Sequence, residues 1–333
     1  QNLKPYIPVL LILTKKYSSV VANPPYMGQG TMNADLKNYV NIHYPISKSD
    51  LMTIFMEVIP YLTEDNSRFA LINLPSWLFL SSFEKIRKNY IDNFTFDSLL
   101  HMGRGIFGID FGSVAFAIKK TKSENAIGSY FRLHERNFQH ILYTDIEKLF
   151  LYCNGKENYK YDFNQYRGDD GITEIPENGT AEGNKLFYPN IPQINFSKIP
   201  GSPIAYWVSD RVFQLFEQES SLDEYIQIGS QHKTANNEVY TKYRWEVSQK
   251  DLLEAKWVSY SKGGKLRKWY GNMDTVVLWS EAALDFYKSN PTSNLMSSDY
   301  WFKSGASWSD ITSTGIGMRL NTNHISDMKG PTF

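Results

Sequence analysis

The chain has 333 residues, 42% of them hydrophobic, with 35 Lys and Arg balanced by 35 Asp and Glu, and a single cysteine, Cys153. That length accommodates two domains, and a net charge of zero excludes a globally basic nucleic-acid binder, so any such footprint must be local. One cysteine excludes an internal disulfide framework and fits a reducing cytoplasm, while the apolar run Tyr6 to Leu13 is too short to span a membrane and lacks the flanks of a signal peptide.

Residues 3–17 read as the end of a helix broken by Pro5 and Pro8. Val20-Val21-Ala22 then closes a buried strand and leads into Asn23-Pro24-Pro25-Tyr26. Two prolines fix two φ angles and push the residues before them to extended geometry, so Asn23 and Tyr26 stand at a rigid strand end. The Asn23 side-chain oxygen and the Pro24 carbonyl can accept hydrogen bonds from a planar amine such as N6 of adenine, favouring a more tetrahedral, nucleophilic nitrogen. Tyr26 can stack on the base, which must first be extruded from its duplex.

Residues 27–46 read as a polar loop beside this corner. Ser49 is placed to cap a helix carrying Leu51, Ile54, Phe55, Val58, Ile59 and Leu62, kinked or ended by Pro60. Arg68 to Leu74 reads as a buried strand. Ser81 and Glu84 spell a capping box for a helix burying Phe83, Ile86 and Tyr90. Phe96 to Met102 and Ser113 to Ile118 are strands whose short connection favours an antiparallel pair. Residues 153–185 are rich in Asn, Gly, Asp and Glu and read as loops, Pro189 to Pro203 as an extended crossing. Ser209 caps a short helix, and Lys256 to Tyr260 and Thr275 to Trp279 are strands.

On these residues the chain resembles the amino-methyltransferases that use S-adenosylmethionine, whose motif is Asn/Asp/Ser-Pro-Pro-Tyr/Phe. Tyr26-Met27-Gly28, Asn33 to Tyr39, Tyr44-Pro45, Ser47 to Leu51, Gly103 to Phe116 and Lys262 to Asn272 extend the likeness over nearly the whole chain. There it is similar to the adenine-specific DNA methyltransferases of bacteriophage-exclusion systems. Ser18-Ser19 depart from the acidic residue usual before the valines.

The resemblance implies an α/β fold: part of an S-adenosylmethionine-dependent methyltransferase, a mostly parallel sheet with a C-terminal antiparallel hairpin, followed by a mostly β target-recognition domain. The expected divisions are 1–135 for the catalytic half, 136–203 for a loop-rich connector and 204–333 for recognition. The implied reaction transfers a methyl group to N6 of a flipped adenine in phage defence or restriction-modification. In it Asn23 and Pro24 polarise the amine, Pro25 holds the turn and Tyr26 stacks. Phe107 and Phe111 line the base pocket or serve as hinge and core aromatics. No Gly-rich turn precedes residue 20, so the chain is expected to be a fragment lacking the main cofactor motif and inactive alone. Gly103 to Gly108 reads as a tight turn.

Between Lys233 and Lys268 nine Lys and Arg face four acids. Lys262, Lys265, Arg267 and Lys268, with Trp269 and Tyr270, have the texture of a DNA contact, cations for phosphates and flat faces for bases, or of a solvated basic turn. Arg319 reads as a base or phosphate contact or a surface arginine. The expected partners are double-stranded DNA and other phage-defence proteins. The six histidines are scattered, so no metal-ligand spacing appears, and Glu254-Ala255-Lys256 is only half of a nuclease motif. Two rival readings are a non-catalytic recognition or docking module, and a methyltransferase for RNA bases or protein glutamine.

Overall fold

In the computed structural model of the chain, residues 4–106, 112–135, 140–168, 174–221, 224, 231–310, 315–330 and 332 are described. Two compact units result, Gln1–Glu219 and Ser220–Phe333.

The first unit opens with helix α1 (Ile7–Thr14), which tolerates Pro8 because a first-turn proline has no intrahelical N–H to lose. Strand β1 (Tyr17–Ala22) leads to the proline corner. Next come α2 (Ala34–His43), α3 (Leu51–Leu62) and β2 (Thr63–Asn73). After α4 (Glu84–Asn93), β3 (Thr95–Arg104) and β4 (Gly112–Lys119) form the expected antiparallel pair.

Strand β5 (Ile127–Arg132), helix α5 (Tyr143–Cys153), the short pair β6 (Lys160–Tyr161) and β7 (Asn184–Lys185), strand β8 (Phe187–Pro192) and helix α6 (Asp210–Gln218) complete the unit. The six-stranded sheet has the order β1-β2-β4-β3-β5-β8. Strands β1, β2, β3 and β5 point one way, whereas β4, wedged between β2 and β3, and the edge strand β8 run against them.

One face of this sheet packs Phe69, Leu71, Leu99, Val114, Phe116 and Ile118 against α3, α4 and Trp77. A second core joins Met102, Phe131 and Leu133 to Ile146, Leu149 and Cys153 of α5.

Residues 136–203 are therefore no connector. They carry a helix and the strand β8, and Gln193 stitches them to the sheet: its oxygen accepts the Phe96 N–H at 2.9 Å and its amide donates to Ile91 and Phe94 carbonyls. Three other local expectations change. Residues 27–46 hold α2, capped by Asn33, whose side chain accepts the Leu36 N–H. Asp50, not Ser49, caps α3. The Ser81 to Glu84 capping box does not form, because a 3-10 turn occupies Ser81–Phe83 and Glu84 pairs with Lys88 instead.

The second unit is built on a four-stranded sheet of order β14-β10-β11-β9. Its elements are α7 (Asn237–Tyr240), β9 (Thr241–Tyr243), α8 (Gln249–Leu253), β10 (Trp257–Ser261), β11 (Thr275–Leu278), α9 (Glu281–Ser289), the pair β12 (Gly305–Ser307) and β13 (Arg319–Asn321), and β14 (Ile325–Ser326). Tyr260, Val277, Trp279, Tyr287 and Met296 form its core beneath α9.

Candidate active site

Strand β1 is an edge strand, half-buried rather than fully so: Val20 and Ala22 touch the core, and Val21 is 77% exposed. Its carboxyl end delivers the motif to the edge of an open sheet, where such folds hold ligands. Asn23 and Pro25 are exposed, Pro24 is buried and Tyr26 is half-buried. Burial of the prolyl ring anchors the corner while leaving Asn23 in solvent.

The Tyr26 ring packs against the main core. Its hydroxyl lies 3.2 Å from both the Asn23 side-chain oxygen and the Ile72 carbonyl near the end of β2. This contact ties the motif to the neighbouring strand. Burial raises the Tyr26 phenol above its ordinary range, so it stays protonated at neutral pH and is no base. Among the described residues no hydrogen bond reaches the Pro24 carbonyl, which is left able to accept.

Asp50 fixes the segment that follows. One carboxylate oxygen accepts the N–H groups of both Met27, at 3.1 Å, and Met52, at 3.0 Å, and the backbones of Met27 and Leu51 are joined at 3.0 Å. Desolvation raises the Asp50 carboxyl, opposed by these two N–H donors. The cap of α3 is thus also the clamp on the residue after Tyr26.

The loop after β2 is pinned from behind by Arg87 of α4. Its fully buried guanidinium donates to the carbonyls of Trp77, Leu80, Gly201 and Ser202, at 2.6 to 3.2 Å. Just inside the same sheet edge lie two side chains whose polar atoms find no partner, Asn73 at the end of β2 and His101 on β3. The register puts both opposite Val114, so they share one face of the sheet. Their spacing, two strands apart and far along the sequence, gave no local signal.

Phe107 and Phe111 lie outside the described residues. Pro24 and Pro25 remove two N–H donors from the turn after β1, so that turn offers carbonyls rather than an N–H cradle. Among the described residues no group of three His, Cys, Asp or Glu is placed to hold a metal ion, and no helix is long and apolar enough to cross a membrane.

In the second unit Lys265, Arg267 and Lys268 are exposed, Lys262 is half-buried, and Trp269 and Tyr270 are 79% and 75% exposed. Trp269 holds a left-handed φ of 72°, strained for a side chain of that bulk. Its N–H donates to the Met318 carbonyl and its carbonyl accepts from Leu320. Arg319, between those two residues, is not a surface residue. Strand alternation turns it inward, 1% exposed, with two 3.4 Å contacts to Ser309 and Gly317 and two nitrogens unpartnered.

Residues 5–107 match the family described as Eco57I restriction-modification methylase. The chain is 32% identical to the adenine-specific methyltransferase BrxX of Escherichia coli O9:H4 (strain HS) and 31% identical to the adenine-specific methyltransferase PglX of Lacticaseibacillus casei (strain Zhang), in each case over 96% of its length. It spans 24% and 26% of those two proteins, about a quarter of their length. In fold it is similar to the type IIL restriction-modification enzyme MmeI, solved in complex with DNA, with a TM-score of 0.50 and 10% identity over 98% of this chain and 42% of that one.

Proposed function

We propose that this chain forms the amine-handling half of an adenine-specific DNA methyltransferase of a phage-defence or restriction-modification system, acting in the cytoplasm, with its second unit as the DNA-recognition part. The observation that carries the reading is the exposed Asn23 at the carboxyl end of β1, beside a Tyr26 whose hydroxyl is anchored to β2.

The Tyr26 hydroxyl has one proton for two nearby oxygens. Donated to the Ile72 carbonyl, it leaves the hydroxyl oxygen free to accept from the Asn23 amide nitrogen. This requires the Asn23 amide rotated by about 180° from the orientation in which its oxygen faces the Tyr26 hydroxyl, and the rotated amide presents that oxygen to a substrate amine. With the Pro24 carbonyl as the second acceptor, both hydrogens of an extruded adenine N6 are held and its lone pair is released from the ring. The Tyr26 ring, fixed by core packing, is the stacking face.

The methyl donor in this reading is S-adenosylmethionine. The contribution of the residues around the motif is to position and polarise the amine. The exposed cations and rings of Lys262 to Tyr270 favour DNA over a peptide acceptor.

The test offers labelled S-adenosylmethionine and duplex DNA, RNA or a glutamine peptide to the intact protein carrying this chain. N6-methyladenine in the duplex is the expected product, and transfer to RNA or peptide in its place would overturn the assignment.

A further inference from the structure

We propose that the second unit grips an unpaired nucleobase in a cavity at the free edge of β9, favouring bases that carry an exocyclic amino group. The proposal rests on the reading of this unit as nucleic-acid-binding and names which part of the nucleic acid it holds.

The cavity encloses about 530 Å³, within the ~300–1,000 Å³ usual for small-ligand sites. Tyr243 lines it and lies parallel to Trp245, with ring centroids 4.7 Å apart and planes 4° from each other. The two rings are 53% and 70% exposed. Glu246 fixes the backbone at the start of this turn, its carboxylate accepting the Tyr243 main-chain N–H at 2.6 Å. An aromatic pair stacked in advance and left in solvent is a preorganised platform for a third flat ring, with little ordering cost left to meet.

The same cavity reaches Lys262 and Gly263, the start of the basic run. Gly263 packs so closely on Lys329 that a Cβ would stand 2.0 Å from its carbonyl oxygen, which fixes the turn. Lys262 lines the cavity with its ammonium over the Tyr260 ring, 5.7 Å from the centroid, and a swing of that flexible side chain would bring it to the phosphate of the nucleotide whose ring meets Tyr243.

Glu238 and Asp274 add carboxylates to the lining, while the ammonium of Lys242 is turned onto the Trp257 ring, 5.6 Å from its centroid. Ionised carboxylates accept hydrogen bonds and donate none. They favour the amino edges of adenine and cytosine and disfavour the thymine edge, whose O4 is itself an acceptor. An amino hydrogen stays readable in a duplex groove, but a paired and stacked base hides its face, so the ring that stacks on Tyr243 is an unpaired one.

The test is fluorescence anisotropy of the intact protein with labelled oligo-dA, oligo-dC, oligo-dT and a duplex. Wild type is expected to bind oligo-dA and oligo-dC more tightly than oligo-dT. Trp245→Ala should weaken both by about tenfold, Lys262→Gln should lower the salt slope by about 0.7, and Asp274→Asn should abolish the base preference. Equal affinity for the three strands, or unaltered binding by a folded Trp245→Ala protein, overturns the proposal. Should Trp245→Ala fail to fold, the exposed Asp274→Asn variant decides, and a retained base preference overturns it. Wild type that binds duplex but no single strand overturns this inference alone. Binding to neither overturns the recognition role as well.

Discussion

At the scale of single residues, the exposed corner at the end of β1 was legible because it is spelled by consecutive positions, the prolines supplying the stiffness and Asn23, in the proposed reading, the acceptor. What anchors it was not legible. The Ile72 carbonyl that receives Tyr26 is 46 positions away, and Asp50 looks in sequence like an ordinary polar residue beside a helix start. Tyr26→Phe keeps the packed ring and removes the hydroxyl that orients Asn23. The intact protein carrying it is expected to melt at the wild-type temperature and to transfer methyl groups about tenfold more slowly, the worth of one ordered hydrogen bond. A wild-type rate would show that the contact has no part in orienting the amide. The expectation of a surface Arg319 failed because the two-residue alternation of β13 exposes Leu320 and buries its neighbours. A buried cation without an anion is costly, so Arg319→Met should leave the melting temperature unchanged or raise it, and a clear loss would reveal an unrecognised partner.

At the scale of elements, long periodic segments were readable and tertiary ties were not. Helix α3 spans the Leu51 to Leu62 pattern but buries Met52, Ile54, Met56 and Ile59 and leaves Phe55 exposed, and the strand read from Arg68 to Leu74 falls on the end of β2, which already starts at Thr63 and stops at Asn73. Helix α2 was missed because it buries only Val40, although Asn33 before an acidic first turn is a capping signal. The stretch 136–203 misled because its binding to the sheet runs through Gln193 and the edge strand β8, features without periodicity. Arg87 is the cross-link of most consequence, since four carbonyl groups accept from it. Replacing it by Met strips the Trp77, Gly201 and Ser202 carbonyls of this donor, while Leu80 keeps the Phe83 N–H, at a cost of about 3 kcal/mol. Urea denaturation should show the lowered midpoint, whereas an unchanged midpoint would mean that water replaces the guanidinium.

At the scale of the whole molecule, both units bury histidines held below their ordinary range by desolvation, His101 in the first and His232 and His324 in the second. In the second unit burial pushes His232 down to about 4, against the opposing pull of the Asn294 backbone and Asp327. A histidine depressed on folding takes up more protons when unfolded, so stability is complete above about pH 6.5 and falls as the pH drops toward 4. The slope contributed is up to about 1.4 kcal/mol per pH unit. Thermal melts from pH 7 to 4 should show it, and His232→Phe should reduce the slope without abolishing it, since His101 and His324 are depressed too; an unchanged slope would place the titration elsewhere. Most direct for the central claim is the turnover number of the intact protein on duplex DNA with Asn23→Ala. The account predicts a fall of about 100-fold or more, as for removal of one preorganised polar group, with little change in DNA affinity; turnover equal to wild type would contradict it.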